Sequence, residues 1–246
     1  MKAQRLDQFI AHATGLSRKD AKFIIKQGKV SVNNLPCKNT AFKITDNDCV
    51  RLNKQILAAF THKYYALNKP SNYCCSHNDD GYPSALRLMP HSTQKLLFSG
   101  RLDADTTGLI FISTDGQWCH RVSHAPASQT KFFGKIYQVQ LAAPFKEEDR
   151  LYLSQGILLK NEVKATLPCE IHIKDATTVQ IELFEGKYHQ IKRMFAATGN
   201  KVIGLKRLSI HGIELGDLAI GEYRELTPDE VSLFSLPSHT EPKHDV

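Results

Sequence analysis

The 246-residue sequence has no apolar run near the roughly 18 residues that a membrane-spanning helix needs. Its opening stretch, MKAQRLDQFIAHATG, is polar and amphipathic, so neither a membrane span nor a secretory leader is expected. The six cysteines, Cys37, Cys49, Cys74, Cys75, Cys119 and Cys169, have no CxxC spacing. Cys74 and Cys75 are adjacent and suit a strained bridge poorly, so free thiols in a reducing cytoplasm are expected. Metal-ligand patterns are equally sparse. Of eleven histidines only His120 and His124 have i,i+4 helical spacing, no third carboxylate or cysteine pair stands near them, and His124 precedes Ala-Pro, where a helix should already have ended. No metal site and no cofactor is expected. The sequence also has no internal repeat and no obvious coiled-coil stripe, so a monomer is the default.

Charge is present, and it is unevenly placed. The formal net charge is +7. Residues 1–60 hold eleven basic side chains against Asp7, Asp20, Asp46 and Asp48, which already gives +7, so the remainder is neutral. A separate basic module is implied, and a polyanion is the natural partner. Leu6, Phe9, Ile10 and Ala13 recur at helical spacing and stop at Gly15. Ser17 is a good N-cap for a second helix with Ala21, Ile24 and Ile25 inward, closing at Gly28. Arg18, Lys19, Lys22 and Lys26 form an exposed stripe whose like charges repel by a few tenths of a kcal/mol per pair. Such a stripe makes most sense facing phosphates, the alternative being a solvated face. The middle of this helix has no Asn, Gln or Ser to read base edges, which argues against a DNA-reading helix-turn-helix. Val30 and Val32 alternate into Asn33-Asn34, a turn expected to start a hairpin with residues 36–42. The stretch RLDQFIAHATGLSRKDAKFIIKQGKVSVNN resembles the S4 RNA-binding domain over nearly its full length. That resemblance implies a small αL module gripping structured RNA.

Residues 55–63 read as a linker, with the module proper at residues 1–57 and the joint at 58–63. Strands are expected at residues 64–67, 96–98 and 109–112, then at 135–141, 179–183 and 202–210. Helices are expected at residues 117–123, with Trp118 inward, and 191–197, ended by Gly199. Strands interleaved with irregular helices, without a βαβ rhythm, argue an α+β fold with a mainly antiparallel or mixed sheet. The second domain is placed at residues 64–233, followed by a polar tail at 234–246.

Asp103 follows an apolar strand in a loop bracketed by Gly100 and Gly108, with Arg101 two residues before it. A loop held by flanking strands can present a carboxylate for chemistry. Turn chemistry is the competing reading, and Asp105, in Asp-Thr-Thr-Gly, suits it better. A second basic concentration lies between Glu185 and Glu214, where no acid interrupts Lys187, Lys192, Arg193, Lys201, Lys206 and Arg207. This is a second phosphate-binding candidate.

GRLDADTTGLIFISTDG resembles the signature of the pseudouridine synthases of the small-ribosomal-subunit type, in which the Arg-Leu-Asp aspartate is catalytic. YALNKP (residues 65–70) is similar to that family's opening strand, Lys135-Ile136-Tyr137 to its Lys-x-Tyr strand, and EGKYHQIKRMFAATGN (residues 185–200) to its third motif. The four come in family order behind the S4-like stretch and reach to about Glu230. The resemblance implies an isomerase without metal or cofactor, acting on 16S rRNA or a small-subunit assembly intermediate, by likeness at the uridine at position 516. Within it Asp103 is the catalytic carboxylate, Lys192 its partner with Arg193 as the fallback, and Tyr137 the stacking wall. Arg101, Lys187, His189 and Arg193 are expected on RNA, as are Arg18, Lys19, Lys22 and Lys26. The same chemistry on 23S rRNA, or a non-catalytic assembly factor, are the alternatives. Two positions depart from the family pattern. Asn72 stands for Gly after Lys-Pro-x, where its turn is expected to survive at positive φ, and Gly134 before Lys135 is expected to loosen that strand's entry.

Overall fold

Apolar residues recur every third or fourth position near the N-terminus and every second position in the later strands, and the chain folds as two units accordingly. The computed structural model describes residues 4–45, 48–57, 62–91, 95–124 and 134–234. One unit comprises residues 1–62 with 91–95, the other residues 63–90 with 96–246. Asp46, most of the expected joint and the expected tail beyond Phe234 lie outside the described residues.

The first unit runs β1 (Gln4–Arg5), α1 (Leu6–Thr14), α2 (Arg18–Lys26), β2 (Val30–Val32), β3 (Leu35–Pro36), β4 (Lys43–Ile44), β5 (Val50–Leu52) and β6 (Gln55–Ile56). Strand β1 pairs with β4, and a sheet runs β3-β2-β5-β6. Helix α1 ends on Gly15 at φ 73, and Ser17 caps α2 by accepting from the Asp20 amide at 3.2 Å. Leu6, Ile10 and Ile25 are fully buried in a core shared with Phe9, Ala21, Val30, Val32 and Ile44. Each such burial contributes about 1.5–3 kcal/mol, which outweighs the repulsion along the α2 stripe.

Two expectations change here. The hairpin turn at Asn33-Asn34 forms, with φ at 50 and 68, but its return arm is only Leu35–Pro36. Gln55–Ile56 is a strand paired with Arg51–Leu52, not linker. It follows a second turn with both central residues at positive φ, Asn53 at 49 and Lys54 at 72. Lysine carries no turn signal, so the sequence gives no warning of this hairpin.

The second unit begins with β7 (Tyr64–Lys69), β8 (Leu97–Ser99), β9 (Thr107–Ser113), α3 (Gly116–Ser123) and β10 (Lys135–Leu141). It continues through α4 (Glu147–Ser154), β11 (Glu170–Ile173), β12 (Thr178–Leu183) and α5 (Gln190–Ala197), and closes with β13 (Val202–Ile210), β14 (Ile213–Glu214), β15 (Tyr223–Glu225) and α6 (Pro228–Ser232). The sheet order is β11-β12-β10-β13-β9-β7-β15, with β8 on β9 and β14 on β13. Only the β9–β13 pairing is parallel among the described strands, so the fold is α+β with a mixed, mainly antiparallel sheet.

Strands β7 and β9 are covered on both faces. Ala66, Leu109 and Phe111 pack with Trp118 on one side, while Tyr65, Leu67, Ile110 and Ile112 pack with Leu102 and Ala85 on the other. This two-sided cover is why Leu109–Ile112 reads as an unbroken apolar run. A third cluster joins β10, β12 and α5 through Val139, Ile181, Met194 and Phe195. Helix α4 has no sequence signal, because it buries only Leu153 and leaves Leu151 and Tyr152 exposed. Gly134 does not loosen the entry to β10. A Cβ there would stand 2.6 Å from Glu182 Cγ and 2.7 Å from the Leu183 carbonyl oxygen, so glycine permits a tight approach.

Candidate functional site

The loop between β8 and β9 is held from three directions. Gly108, at φ 99, lies so close to β13 that a Cβ would meet the Arg207 carbonyl oxygen at 2.2 Å. Only glycine lets β9 and β13 pair there. Behind the loop Lys69 is completely buried and donates all three of its hydrogens, to Pro70 O (2.9 Å), Tyr73 O (2.8 Å) and Ala104 O (3.2 Å). Burial pushes its ammonium below the ordinary lysine range, and nearby Cys75 and Asp105 oppose that shift. Asn72, at φ 64, donates its amide to the same Ala104 carbonyl at 2.8 Å. The turn survives with Asn in place of Gly, and it grips the residue after Asp103.

Asp103 faces α5. Lys192 Nζ donates to Asp103 Oδ2 at 2.9 Å and to both carboxylate oxygens of Asp105, at 2.7 and 3.0 Å. Burial lowers the Lys192 ammonium, but its bonds to Asp105 and Asp103 outweigh this and the net direction is up. Burial likewise raises the Asp105 carboxyl, and the Lys192 hydrogen bond and charge bring it below the ordinary range. Asp105 is therefore more than a turn residue, since it shares the cation with Asp103. His189 Nε2 stands 3.4 Å from Asp103 Oδ1. Asp103, Lys192 and His189 line an open cleft with Tyr137, Leu183, Lys187 and Leu205.

Tyr137 sits on β10 directly across from Arg207 on β13. Arg207 is buried; its Nε donates to Leu109 O at 2.6 Å and its Nη1 to the Tyr137 hydroxyl at 3.3 Å, while Nη2 has no partner among the described residues. The guanidinium carbon lies 5.8 Å from the Tyr137 ring centre. Burial, with help from Arg207, lowers the Lys135 ammonium to about 8. Arg207 was expected among surface phosphate ligands; it is instead an interior group that fixes Tyr137.

The start of α5 is built by Gln190, which is buried, accepts the Lys187 amide at 2.9 Å and donates to Glu185 Oε1 at 2.9 Å. His189 takes a left-handed conformation, φ 47, and its ring stacks on Tyr188 with centroids 3.8 Å apart. Arg193 does not reach Asp103. Its Nη1 donates to Glu162 Oε1 at 2.8 Å and to Tyr188 O at 3.0 Å, and Lys187 Nζ takes the other Glu162 oxygen at 3.3 Å. These two bases hold the Glu162 carboxyl below its usual range, Arg193 having the larger effect. The local absence of acid between Glu185 and Glu214 is thus made good by a glutamate more than twenty residues earlier, and the fallback role of Arg193 falls away. Arg101 is exposed on the Asp103 loop.

In the first unit Arg18, Lys19, Lys22 and Lys26 all lie on the exposed side of α2. Arg18 and Lys22 approach the fully buried Asp7, at 3.6 and 3.9 Å. Arg5 donates to both Asp7 oxygens at 3.0 Å and lowers its carboxyl. Repulsion along the stripe is offset by this interior anion. The sequence shows Asp7 only as one acid among four, since nothing marks it as inward-facing. Lys69 escapes sequence reasoning as a site residue, and the roles of Asp105 and Arg207 differ from the sequence reading, because each has a partner far away in the chain: Ala104, Lys192 and Leu109 respectively.

A carboxylate held against a lysine at an open cleft, in a chain with a separate basic helical unit, defines an enzyme that handles a polyanion. Residues 63–197 match the RNA pseudouridylate synthase family and residues 4–56 match the S4 domain. The chain belongs to the RNA pseudouridylate synthase family, and is an isomerase acting on RNA. It is 42% identical over 230 residues to the ribosomal small subunit pseudouridine synthase A of Vibrio cholerae, covering 93% of this chain and 98% of that one. It is 40% identical over 231 residues to the enzyme of the same name from Escherichia coli K12, covering 93% and 98%. A solved structure described as a pseudouridylate synthase shares 39% identity and a TM-score of 0.65, over 94% of this chain and 99% of that one.

Proposed function

We propose that the chain converts a uridine of 16S rRNA to pseudouridine, in the free RNA or an assembly intermediate of the small subunit. The names of the relatives point to that subunit, and the 2.9 Å Asp103–Lys192 contact beside Tyr137 carries the site assignment. The reaction balances within the nucleotide: the C1′–N1 bond breaks, a C1′–C5 bond forms, C5 loses a proton and N1 gains one. Asp103 supplies the covalent carboxylate, attacking either the ribose or the uracil ring. Lys192 holds that carboxylate in place by a 2.9 Å hydrogen bond and ion pair. Tyr137, its hydroxyl fixed by Arg207, offers a ring to stack on the extruded base and a route for the C5 proton. Extrusion costs a few kcal/mol; Arg101, exposed on the Asp103 loop, and His189, 3.4 Å from Asp103, are our candidates to hold the opened RNA.

The test is to incubate the protein with unmodified 16S transcript, partly assembled small subunits and 23S rRNA, mapping pseudouridine by carbodiimide and primer extension. A product at one 16S uridine is expected. Product on 23S rRNA alone overturns the target, and no product anywhere overturns the activity. Asp103→Asn should lower turnover by at least about 10³-fold with RNA affinity nearly unchanged; surviving turnover would mean another nucleophile.

A further inference from the structure

Helix α2 buries Ala21 and Ile25 and half-buries Ile24, which leaves no structural use for an aromatic ring on its opposite side. Phe23 nevertheless stands there with 61% of its surface exposed. Its neighbours along the same face are cations. Lys19 lies one turn before it and Lys26 one turn after, with Lys22 and Arg18 further round the helix on one side and Asp20 and Gln27 on the other. The two pairs differ in their partners. Arg18 and Lys22 approach the buried Asp7 carboxylate, whereas Lys19 and Lys26 have no carboxylate partner among the described residues. An exposed phenyl ring is thus bracketed by two unpaired ammonium groups spanning about 10 Å of helix.

We propose that Phe23 is a stacking platform for an unpaired nucleobase of the bound RNA, with Lys19 and Lys26 holding the phosphates on either side. This rests on the reading of the substrate as RNA and extends it: the first unit recognises a single-stranded or looped stretch, not only the charge of a duplex. An extended strand presents faces of bases and a negative backbone together, and an aromatic ring between cations matches that alternation. A membrane surface is a poor match. The apolar side of α2 is spent on its own core, so one ring remains to insert where an interfacial helix needs a full apolar face. The other exposed large apolar residues of this unit are Leu16, Leu35, Phe42 and Ile56; Leu35 and Ile56 lie on the edge strands β3 and β6, Leu16 and Phe42 lie in connecting segments, and each is less exposed than Phe23 or lies off the basic helix.

The test uses the full chain and three probes: a short single-stranded RNA, a duplex of the same sequence, and phosphatidylserine vesicles. Phe23→Ala should weaken single-strand binding by about 5- to 150-fold, the range for removing one stacking ring. Its log–log salt slope should equal that of the wild type, because no cation is lost. Phe23→Trp should restore the affinity. Lys19→Gln with Lys26→Gln should instead flatten the slope by roughly 1.4. Duplex affinity should be indifferent to Phe23, and vesicles should not bind. Circular dichroism melting checks that Phe23→Ala keeps its fold, which the exposure of the ring predicts. Single-strand affinity within twofold of wild type, an equal loss on duplex, or vesicle binding that depends on Phe23 would each overturn the proposal. The Phe23 effect should persist in Asp103→Asn, because stacking needs no turnover. A wild type that binds but makes no pseudouridine therefore counts against the proposed function alone.

Discussion

At the scale of single residues, the groups that set the site are those with the least freedom. Lys69 is charged and fully buried, yet each of its hydrogens has a carbonyl acceptor. Lys69→Met relieves the desolvation of an ammonium but leaves the Pro70 and Tyr73 carbonyls short of a donor, at about 1–3 kcal/mol for each one left buried, while Ala104 keeps only its bond from the Asn72 amide. We expect a lower melting temperature, and a turnover reduced at least tenfold with little change in KM, because Ala104 and its neighbour Asp103 lose their clamp. Wild-type melting and turnover in this variant would falsify the clamp. Arg207 is the parallel case on the other wall, where its guanidinium sets the Tyr137 hydroxyl. Asp103, Tyr137 and Lys192 were legible in the sequence because short motifs carry them. Lys69 sits inside such a motif, but its function depends on Ala104, thirty-five residues later, which no local pattern encodes. Arg193 shows the converse error, since adjacency to Lys192 in sequence says nothing of Glu162.

At the scale of elements, helices with a strong apolar stripe were readable to within a residue or two, as α2, α3 and α5 show. Helix α4, with one buried side chain, and strand β6, behind a turn containing Lys54, were not. Periodicity reports burial, so an element that buries little leaves little trace. The pairing of α1 with α2 has a titratable element in Asp7. Its folded carboxyl lies below the ordinary value, so the unfolded chain takes up the proton first as pH falls. The stability it contributes is complete above the unfolded pKa of about 4 and is lost as pH drops through the lower folded value. Asp48, Asp105, Glu162, Asp175 and Glu230 shift in the same direction, so wild type alone does not isolate the effect. The difference in melting temperature between wild type and Asp7→Asn should shrink as pH falls below about 4. Parallel curves down to about pH 2 would show that Asp7 is not the titrating anchor.

At the scale of the whole molecule, the net charge of +7 belongs to the first sixty residues, and the structure sharpens that asymmetry. In the second unit Lys187 and Arg193 are committed to Glu162, Lys192 to two aspartates, and Arg207 to the interior. We therefore expect the first unit to supply most of the salt-sensitive grip on RNA. Removing residues 1–57 should flatten the log–log salt dependence of binding by roughly 3, for about four lost phosphate contacts. A slope unchanged by the deletion would place the phosphate contacts elsewhere.

The enclosure of Lys69 also makes it a chemical clock. An amine-acylating reagent modifies lysines that water can reach, and Lys69 has no exposed surface and no spare lone pair while its ammonium is bonded to three carbonyls. Exposed neighbours in the chain such as Lys95 would acquire the label quickly, and Lys69 only during those moments when the loop beside Asp103 opens. Peptide mass spectrometry over time would therefore read the opening rate of the Asp103 loop from one side chain, in the unaltered protein, and binding of RNA at the proposed site should slow that reading.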